Sequence, residues 1–407
     1  MDFSFTPEQE ALKKDFSEFF AAEAKHLPSN WVGTIEDVYS SDEGWAYHKY
    51  MAQTLAKKGW LVRGWPKQYG GSEAPIVEQL IFNEVSSYYM AAGMDIFGIG
   101  MCGPTLMAAG TDEQKQEHVL PIARGEKMWC QLWSEPDAGS DLAALRSTAV
   151  RQGDYYIING QKIWTSGGHR ADWGFGIFRT DPNLKRSKGL SFILVDMKTP
   201  GITIRPLYSM GRAHLFNEIF FDNVKVPVKN RVGEENQGWN VTRATMNFER
   251  SNVGVMSWSK SLLGQLIQFC KENKRDGKYL IDDPFVRQML AQVEIEIEIG
   301  IAMSYRIAWI QEQGRIMEFA SLASSSKVYG TEMIQRFANT ALQILGMYGP
   351  IRAESKWAPL KGVWEAIYQL CPGMNILAGT SEIQRNTIAW IAMGMPRSWD
   401  EVFRPKA

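Results

Sequence analysis

Residues 375–385 read NILAGTSEIQR and combine a small-residue turn with the start of a helix. At Ala378 and Gly379 the side chain is minimal or missing, so backbone can approach a ligand closely. Ser381 and Gln384 have the spacing of a capping box. The free N–H groups and positive dipole end of such a helix favour an anion or a polarised carbonyl. These residues alone leave open the alternative of an ordinary junction between a loop and a helix.

A second segment that can contact a ligand is WCQLWSEPDAGSD, at residues 129–141. The turn at Gly139 and Ser140 offers backbone N–H groups and a hydroxyl, and Trp133 and Trp164 offer flat surfaces for stacking on a planar ring system. A solvated loop that contains buried tryptophans would explain the same residues.

Several titratable residues carry no specific signal by themselves. Glu249 and Arg250 are adjacent in a helical stretch, where neighbouring side chains project about 100° apart and are usually solvated. Metal-ligand or catalytic-triad spacing is absent from the histidines, and the cysteines include no CxxC pair, so we expect no metal site. The histidines are His26, His48, His118, His169 and His214, and the cysteines are Cys102, Cys130, Cys270 and Cys371.

The elements that must position these residues follow the order α, then β, then α. Thr6, Pro7 and Gln9 mark a helix start, and residues 111–114 mark another. Helical spacing continues to about residue 127, which predicts an N-terminal α-helical domain over residues 1–127.

Short β-rich runs follow, and they predict a central β-domain over residues 128–239. Asn159-Gly160 lies between two such runs and is typical of a β-hairpin turn. Because no helical pattern separates the runs, we expect an antiparallel sandwich or barrel. Further strands are expected at residues 174–179, 190–196, 202–207 and 218–227.

Helical patterns return and predict a C-terminal α-helical bundle over residues 240–407. We expect helices at residues 241–274, 283–314 and 317–346, and a last helix from Glu382. The strict alternation at residues 293–299 fits a strand, but its flanks run for more than 25 residues without proline, so a helix is favoured. The predicted class is α+β, mostly α.

Composition excludes several classes of function. The 407 residues carry a formal net charge of −1, with both signs interspersed, which gives no electrostatic case for nucleic acid or an anionic membrane. No run of 18 apolar residues and no signal-peptide pattern occurs, so we expect a cytoplasmic protein without a membrane-inserted segment.

Five segments in fixed order resemble the FAD-dependent acyl-CoA dehydrogenase family, over essentially residues 1–400. The resemblance implies this fold: an N-terminal helical domain, a central β-domain and a C-terminal helical bundle. It also implies FAD as cofactor and an acyl-CoA substrate. The segments are WSEPDAGSD, INGQKIWTSGG, GITIRPLYSMG, FDNVKVPVKNRVGEENQGW and AGTSEIQR.

The resemblance also implies which residues contact the flavin. Leu132 and Ser134 would donate to the ring from a loop that includes Gly139, and serine stands at 134 where the family usually has threonine. Ser140 would contact the flavin phosphate or the CoA. Trp164 would cover the flavin, and Ser166 would lie near its N5 atom.

In the family, a neighbouring subunit usually covers the adenosine half of FAD. Gln343 and Gly346 match the family segment Q-x-x-G-G, whose second glycine is Met347 here. The usual R-x-x-F-G element is replaced by residues 274–284, which leaves Arg275 as the candidate for the pyrophosphate contact. Thr380 and Glu382 are further cofactor-binding candidates.

The implied reaction removes an α-proton and a β-hydride from a thioester. The commoner branch of the family places its catalytic glutamate at the position of Ala378, whose backbone N–H would bind the thioester oxygen here. Other members carry the base on the helix after the β-domain, before an arginine, which matches Glu249 and Arg250. Glu249 is therefore the expected base, with substrate contacts from Ser140, Asn247, Arg250 and Gly379.

The expected partners also follow from the resemblance. Electrons would pass to an electron-transfer flavoprotein, and the assembly would be a homotetramer or a heterotetramer. Segments 64–71 and 276–284 resemble the subgroup for bulky, branched, alicyclic, aromatic or steroid-side-chain thioesters. Two alternatives stay open: a subunit of a heteromeric dehydrogenase, and an acyl-CoA oxidase or flavin monooxygenase on the same fold.

Overall fold

A computed structural model describes residues 4–29, 31–184, 186–245 and 252–397. The chain forms two compact units, each built from segments that are separated in sequence. The helical unit comprises Met1–Gly33, Pro75–Ala91 and Arg250–Ala407. The sheet unit comprises Thr34–Ala74 and Ala92–Glu249. The predicted α+β class, mostly α, is confirmed.

The α-helices are numbered in chain order. They are α1 (Pro7–Glu23), α2 (Ile35–Ser40), α3 (Asp42–Lys57), α4 (Ile76–Tyr88), α5 (Gly103–Ala109), α6 (Asp112–Gln114), α7 (Leu120–Ala123), α8 (Gly238–Thr245), α9 (Val253–Glu272), α10 (Pro284–Glu312), α11 (Ile316–Leu345), α12 (Val363–Ile376) and α13 (Ser381–Ile391). Among the described residues, no helix is both long and apolar enough to span a membrane.

Two of the predicted helix starts are confirmed by their caps. The Thr6 hydroxyl accepts from the Gln9 N–H while the Gln9 side chain accepts from the Thr6 N–H, which completes a capping box at α1. Thr111 and Gln114 form the same box at α6. Helix α12 was not among the helices predicted from the sequence.

Helix α10 confirms that the alternating segment at residues 293–299 is helical. Val293 and Ile297 are buried one turn apart, whereas Ile295 and Ile299 are exposed. Glu296 stands between Ile295 and Ile297 in the sequence, and its carboxylate accepts a hydrogen bond from Arg336 Nη2 at 2.6 Å. The alternation therefore reflects isoleucines that lie on different faces of one helix.

Helices α9, α10, α11 and α12 enclose the main core of the helical unit. Leu262, Leu266, Ile297, Phe337 and Trp364 are at most 1 % exposed there. Since these side chains come from four helices, the bundle buries one continuous apolar centre.

The strands are likewise numbered in chain order. They are β1 (Trp129–Leu132), β2 (Thr148–Gln152), β3 (Tyr155–Lys162), β4 (Trp173–Arg179), β5 (Leu190–Asp196), β6 (Ile202–Tyr208), β7 (His214–Pro227), β8 (Arg231–Val232), β9 (Lys274–Arg275) and β10 (Lys278–Tyr279). Strands β4 to β7 match the four predicted runs.

One sheet dominates the sheet unit, with the order β6-β7-β3-β2-β4-β5-β8 and with β1 paired to β4. Most neighbours are antiparallel, as predicted. Two pairings are parallel, β2 with β4 and β1 with β4, and the second places Leu132 opposite Gly176. The four cysteines of the chain are free and buried.

The hairpin predicted at Asn159-Gly160 is wrong. Strand β3 runs through both residues, and its register with β7 shifts between Ile158 and Gly160. Gly160 has φ +141°, and a Cβ there would lie 2.3 Å from Ser147 Oγ. Glycine is therefore needed for a bulge and a close approach to a neighbouring strand, two roles that a sequence pattern does not distinguish from a turn.

Asp95 is a buried carboxyl group of the sheet unit, 4 % exposed. It accepts from the Trp129 N–H at 3.0 Å and from the Phe97 N–H at 3.1 Å. Burial outweighs these donors and raises the pKa of Asp95 to about 7. In mildly acidic solution Asp95 is therefore protonated in the folded protein but ionised in the unfolded chain.

We expect Asp95→Asn to remove part of the pH dependence of stability. Because the folded-state pKa lies above the unfolded value, the contribution of Asp95 is complete below about pH 4 and is lost as pH rises through about 7. As pH rises, the free energy of unfolding of the variant should therefore increase relative to that of the wild type, by about 4 kcal/mol at most. Urea unfolding across this range measures the difference.

Asp196→Asn is the matched control, because Asp196 is half-buried and its carboxylate also accepts a backbone N–H, from Lys198 at 2.9 Å. A difference between Asp95→Asn and the wild type that stays constant with pH would contradict the prediction.

Candidate functional site

Residues 164–168, the WTSGG turn, follow strand β3 and carry two of the predicted flavin contacts. Trp164 has φ 60°, a left-handed conformation that bulky residues rarely adopt. Its side chain is 55 % exposed and meets the Phe216 ring edge-on at 5.5 Å between centroids. Ser166 is half-buried within the turn. The fold thus holds a large flat side chain and a hydroxyl in a strained turn, which is typical of functional sites.

Strand β1 brings Leu132 and Ser134 to the same edge of the sheet as the WTSGG turn. Leu132 is buried against β4. The Ile163 N–H donates to the Ser134 carbonyl at 2.9 Å, which fixes residue 134 beside the residue that precedes Trp164. The structure therefore brings together Ser134, Trp164 and the neighbouring Ser166.

Gly139 and Ser140 lie farther along this loop and are exposed. Before them, Glu135 and Ala138 exchange two backbone hydrogen bonds of 3.0 Å. A Cβ at Gly139 would have no atom within 4 Å, so the backbone there is open to approach from solvent.

A buried ion pair anchors the loop that contains Ser134. Lys162, with no exposed surface, donates to Glu135 Oε1 at 2.8 Å, to the Ile177 carbonyl at 2.8 Å and to the Trp133 carbonyl at 3.1 Å. The three protons of its ammonium thus have three acceptors.

The Glu135 carboxylate is equally well paired. It accepts from the backbone N–H groups of Arg146 at 2.6 Å and Ser147 at 3.0 Å. Although burial opposes ionisation, Lys162 and these donors together lower the pKa of Glu135. Burial lowers the pKa of Lys162 to about 8, so the pair is ionised at neutral pH.

In the helical unit, Ala378 and Gly379 form the turn between α12 and α13. Both have positive φ, 53° and 84°. Gln384 Nε2 donates to the Ala378 carbonyl at 2.9 Å. The N-cap is Thr380, whose hydroxyl accepts from the Ile383 N–H at 3.2 Å, so the cap expected at Ser381 lies one residue earlier.

The N-terminus of α13 carries the positive potential that the sequence predicts. Backbone N–H groups, followed by the Thr380 hydroxyl, lower the pKa of the exposed Glu382 carboxylate. An anion or a polarised oxygen near this turn would be stabilised in the same way.

A cleft of about 380 Å³, lined largely by polar side chains, lies beside this helix start. Two buried polar atoms there, Ser381 Oγ and Asn375 Oδ1, have no hydrogen-bond partner. Hydroxyl or amide groups of a ligand would satisfy them. The cleft is lined by Glu332, Gln335, Arg336, Asn375, Ile376, Ser381, Glu382 and Arg385.

Arg275, Gln343 and Gly346 are brought together at the C-terminal end of α11. Arg275 lies in the β9–β10 hairpin, and its guanidinium donates to the Ile344 carbonyl. The Gly346 N–H donates to the Gln343 carbonyl. One donor of Arg275 is therefore used to cap α11, and the guanidinium carries four more. Met347, next along the chain, is 94 % exposed.

Asn247, Glu249 and Arg250 lie outside the described residues. The helix expected over residues 241–274 includes these positions; its described parts are helical, in α8 up to Thr245 and in α9 from Val253 to Glu272. Among the described residues, no group of three or more His, Cys, Asp or Glu side chains could hold a metal ion.

Lys162, Glu135 and the buried Asn217 were not among the residues predicted from the sequence. A signal for Lys162 did exist, because it shares the inward face of β3 with Tyr156 and Ile158 at alternate positions. A lysine at an inward position indicates a buried partner. Glu135 lies in a loop without periodicity, and no such signal identifies it.

Three models of one family cover nearly the whole chain. They are described as the N-terminal, middle and C-terminal domains of acyl-CoA dehydrogenase and match residues 6–126, 130–224 and 236–393. A curated relative, the acyl-CoA dehydrogenase FadE26 of Mycobacterium tuberculosis, is 34 % identical over 98 % of this chain and 100 % of its own length. The chain belongs to the acyl-CoA dehydrogenase family.

Two similar solved structures agree with this assignment. The ChsE4-ChsE5 complex of Mycobacterium tuberculosis contains a chain 33 % identical to this dehydrogenase, with a TM-score of 0.85, covering 98 % of this chain and 100 % of that one. The Tcur3481-Tcur3483 steroid ACAD contains a chain 29 % identical, with a TM-score of 0.88 and the same coverage. As a member of the family, the chain is an FAD-dependent oxidoreductase.

The groups of this acyl-CoA dehydrogenase fit a flavin. Trp164 offers an exposed aromatic face, and Ser134 and Ser166 place two hydroxyls at the same sheet edge. A planar ring with polar edge atoms requires a flat apolar contact and hydrogen-bonding groups around it.

We expect Lys162→Met to destabilise the dehydrogenase by about 3–5 kcal/mol, because it leaves the buried Glu135 carboxylate without its counter-charge. Urea unfolding measures the loss. Lys225→Met, at an exposed lysine of β7, is the control and should cost less than about 1 kcal/mol. The double variant Lys162→Met/Glu135→Leu should recover part of the loss. Equal effects of the two lysine variants would contradict the prediction.

Proposed function

We propose that this acyl-CoA dehydrogenase converts a bulky acyl-CoA thioester to its 2,3-enoyl-CoA, with Glu249 as base. The observation that carries the proposal is the turn at Ala378 and Gly379. It has a small side chain where the commoner branch of the family has its glutamate, and it lies at the N-terminus of α13. Such a turn can bind an oxygen but cannot remove a proton.

The backbone N–H of Ala378 is the proposed donor to the thioester oxygen, with Gly379 beside the substrate. Positive φ at both residues and the hydrogen bond from Gln384 to the Ala378 carbonyl support a fixed orientation of this turn. A fixed donor stabilises the negative charge that develops on the oxygen when the α-proton leaves, and this lowers the barrier.

Glu249 is the proposed general base. Position 378 has no carboxylate, and Glu249 immediately precedes an arginine, which matches the alternative arrangement in the family. Arg250 and Asn247 are proposed substrate contacts. A pKa raised toward the working pH would suit Glu249 for proton abstraction.

Bound FAD would accept the β-hydride. Leu132, Ser134 and Ser166 are the proposed hydrogen-bonding residues toward the flavin, Trp164 its cover, and Gly139 and Ser140 the contacts toward its phosphate or the CoA. The shared sheet edge of Ser134 and the WTSGG turn supports this set. These residues orient the ring and exclude water on one side.

The adenosine half of FAD is proposed to contact the C-terminal bundle. Gln343, Gly346 and Arg275 form one cluster that would meet the cofactor of a neighbouring subunit. Thr380 and Glu382 are the other candidates. The unpartnered Ser381 hydroxyl in the adjoining cleft supports a polar ligand at the start of α13.

The proposed substrate is a bulky, branched, alicyclic, aromatic or steroid-derived acyl-CoA. Ala378 leaves space at the turn, and one similar structure is named a steroid ACAD. The ChsE4-ChsE5 complex joins two different chains, so a heterotetramer is proposed beside a homotetramer. The division into domains at residues 1–127, 128–239 and 240–407 and the cytoplasmic location remain predictions from the sequence.

We expect Glu249→Gln to keep FAD and thioester binding but to slow anaerobic bleaching of the flavin by substrate at least about 10³-fold, because no group then removes the α-proton. Stopped-flow absorbance measures bleaching. Glu272→Gln, at an exposed glutamate of α9, is the control and should bleach at the wild-type rate.

Adding Ala378→Glu to Glu249→Gln tests the same assignment by gain of function. A carboxylate at position 378 should restore part of the bleaching, since the commoner branch of the family places its base there. Near wild-type bleaching by Glu249→Gln alone would show that the base is another residue.

We expect anaerobic screening of the yellow holoprotein to show faster bleaching by steroid, aromatic or branched acyl-CoA thioesters than by straight-chain ones. The reduced enzyme should transfer electrons to an electron-transfer flavoprotein much faster than to oxygen. Fast reoxidation in air would instead indicate an oxidase or monooxygenase. The absence of bleaching by every thioester would indicate a non-catalytic subunit.

A further inference from the structure

A buried amide links the WTSGG turn to strand β7. Asn217 has no exposed surface. Its Nδ2 donates to the Thr165 carbonyl at 3.0 Å and lies 3.1 Å from His169 Nδ1, while its Oδ1 lies 2.9 Å from His214 Nε2. Every polar atom of this side chain therefore has a partner.

The Thr165 carbonyl determines the proton positions in this network. A carbonyl only accepts, so the NH₂ group of Asn217 must face it. The second N–H of Asn217 then donates to His169 Nδ1, and His169 must carry its own proton on Nε2, which donates to the Tyr39 carbonyl at 3.1 Å. The remaining Asn217 oxygen accepts from His214 Nε2.

The same arrangement keeps His169 neutral. Its ring stacks on that of His214 at 3.8 Å between centroids, and a protonated Nδ1 would point a second N–H at the amide of Asn217. Burial, together with the neighbouring His214 and Arg170, lowers the pKa of His169 to about 4. The network therefore keeps one hydrogen-bonding pattern at neutral pH.

Backbone hydrogen bonds join the turn to β7 at the same place. The Thr165 N–H donates to the Asn217 carbonyl at 3.1 Å, and the Gly167 N–H donates to the Leu215 carbonyl at 2.9 Å. A Cβ at Gly167 would lie 2.3 Å from the Tyr39 ring. The turn is thus held from one side by β7 and from the other by Tyr39.

This support is needed because the turn is strained. Trp164 has a φ of 60°, and the buried hydroxyl of Thr165 has no partner. Such conformations persist only where the surroundings hold them. The exposed indole of Trp164 gains little packing from the protein itself.

We propose that Asn217, together with His169 and His214, is a positioning residue that fixes the WTSGG turn against the flavin. The inference rests on the proposed function, in which Trp164 and Ser166 contact the cofactor. Asn217 does not itself touch the flavin. It acts through the Thr165 carbonyl, one residue from each of the two contacts.

The test compares Asn217→Ala with Asn230→Ala in the holoenzyme. Asn230 is another buried amide of the sheet unit, 6 % exposed, and its Nδ2 donates to the Leu194 carbonyl at 3.1 Å. Both variants lose one buried side-chain amide, but only Asn217→Ala releases the turn. The measurements are the FAD dissociation constant, from titration of the apoprotein, and the visible absorption spectrum of the bound flavin.

We expect Asn217→Ala to raise the FAD dissociation constant about tenfold, the equivalent of one lost buried hydrogen bond, and to shift the flavin spectrum. Asn230→Ala should leave both unchanged. Asn217→Asp keeps the size and the acceptor but loses the donor to Thr165, so it should resemble Asn217→Ala. Asn230→Asp controls for the buried carboxyl group.

A second variant covers the case in which Asn217→Ala does not fold. His214→Phe keeps a ring stacked on His169 but removes the donor to Asn217. It should raise the FAD dissociation constant about threefold, because the hydrogen bond that it removes is the weaker one. Equal FAD affinity and spectrum in wild type, Asn217→Ala and His214→Phe would overturn the inference. If the wild-type protein bound no FAD at all, the proposed function would fail instead, and the inference with it.

Discussion

The buried ammonium of Lys162 connects three segments of the sheet unit at one point. It lies on β3, donates to a carbonyl of β4, and donates to a carbonyl and a carboxylate of the loop that follows β1. Glu135, the ion-pair partner of Lys162, in turn accepts hydrogen bonds from the backbone N–H groups just before β2. Desolvating two charges costs several kcal/mol each, which only complete hydrogen bonding can offset. Any other path of this loop would leave a buried charge unpaired, so the pair selects one loop conformation, and with it the placement of Ser134.

Sequence patterns predicted the elements that depend on local chemistry. The caps at Thr6 and Thr111 use neighbouring residues only, the continuous apolar runs of β4 and β5 reflect strands that are buried on both faces, and the alternation in β7 reflects burial at period two. Asn159-Gly160 was misread because a glycine required by contact with Ser147 looks the same as a glycine required by a turn. That contact joins residues far apart in sequence, and no local pattern records it.

For the candidate site, the sequence indicated the segments but not the residues that hold them. Trp164, Ser166 and Ala378 lie in motifs that the family resemblance selects. Asn217 was not selected, and His169 and His214 carried no signal because each is isolated in sequence. Their stacking arises only when β7 pairs beside the WTSGG turn. Support of this kind depends on tertiary contacts, so it is visible in a structure but not in a local sequence pattern.

In the proposed site, the left-handed backbone at Ala378 limits how the substrate range can change. With φ 53°, the position disfavours β-branched side chains and accepts glycine most readily, followed by asparagine and aspartate. Valine, isoleucine and threonine, the usual residues for trimming a pocket by single methyl groups, are thus poorly suited here. Substitutions at this position will therefore exchange a small side chain for a polar one in a single large change. Fine adjustment to the shape of an acyl group must come from other walls of the site.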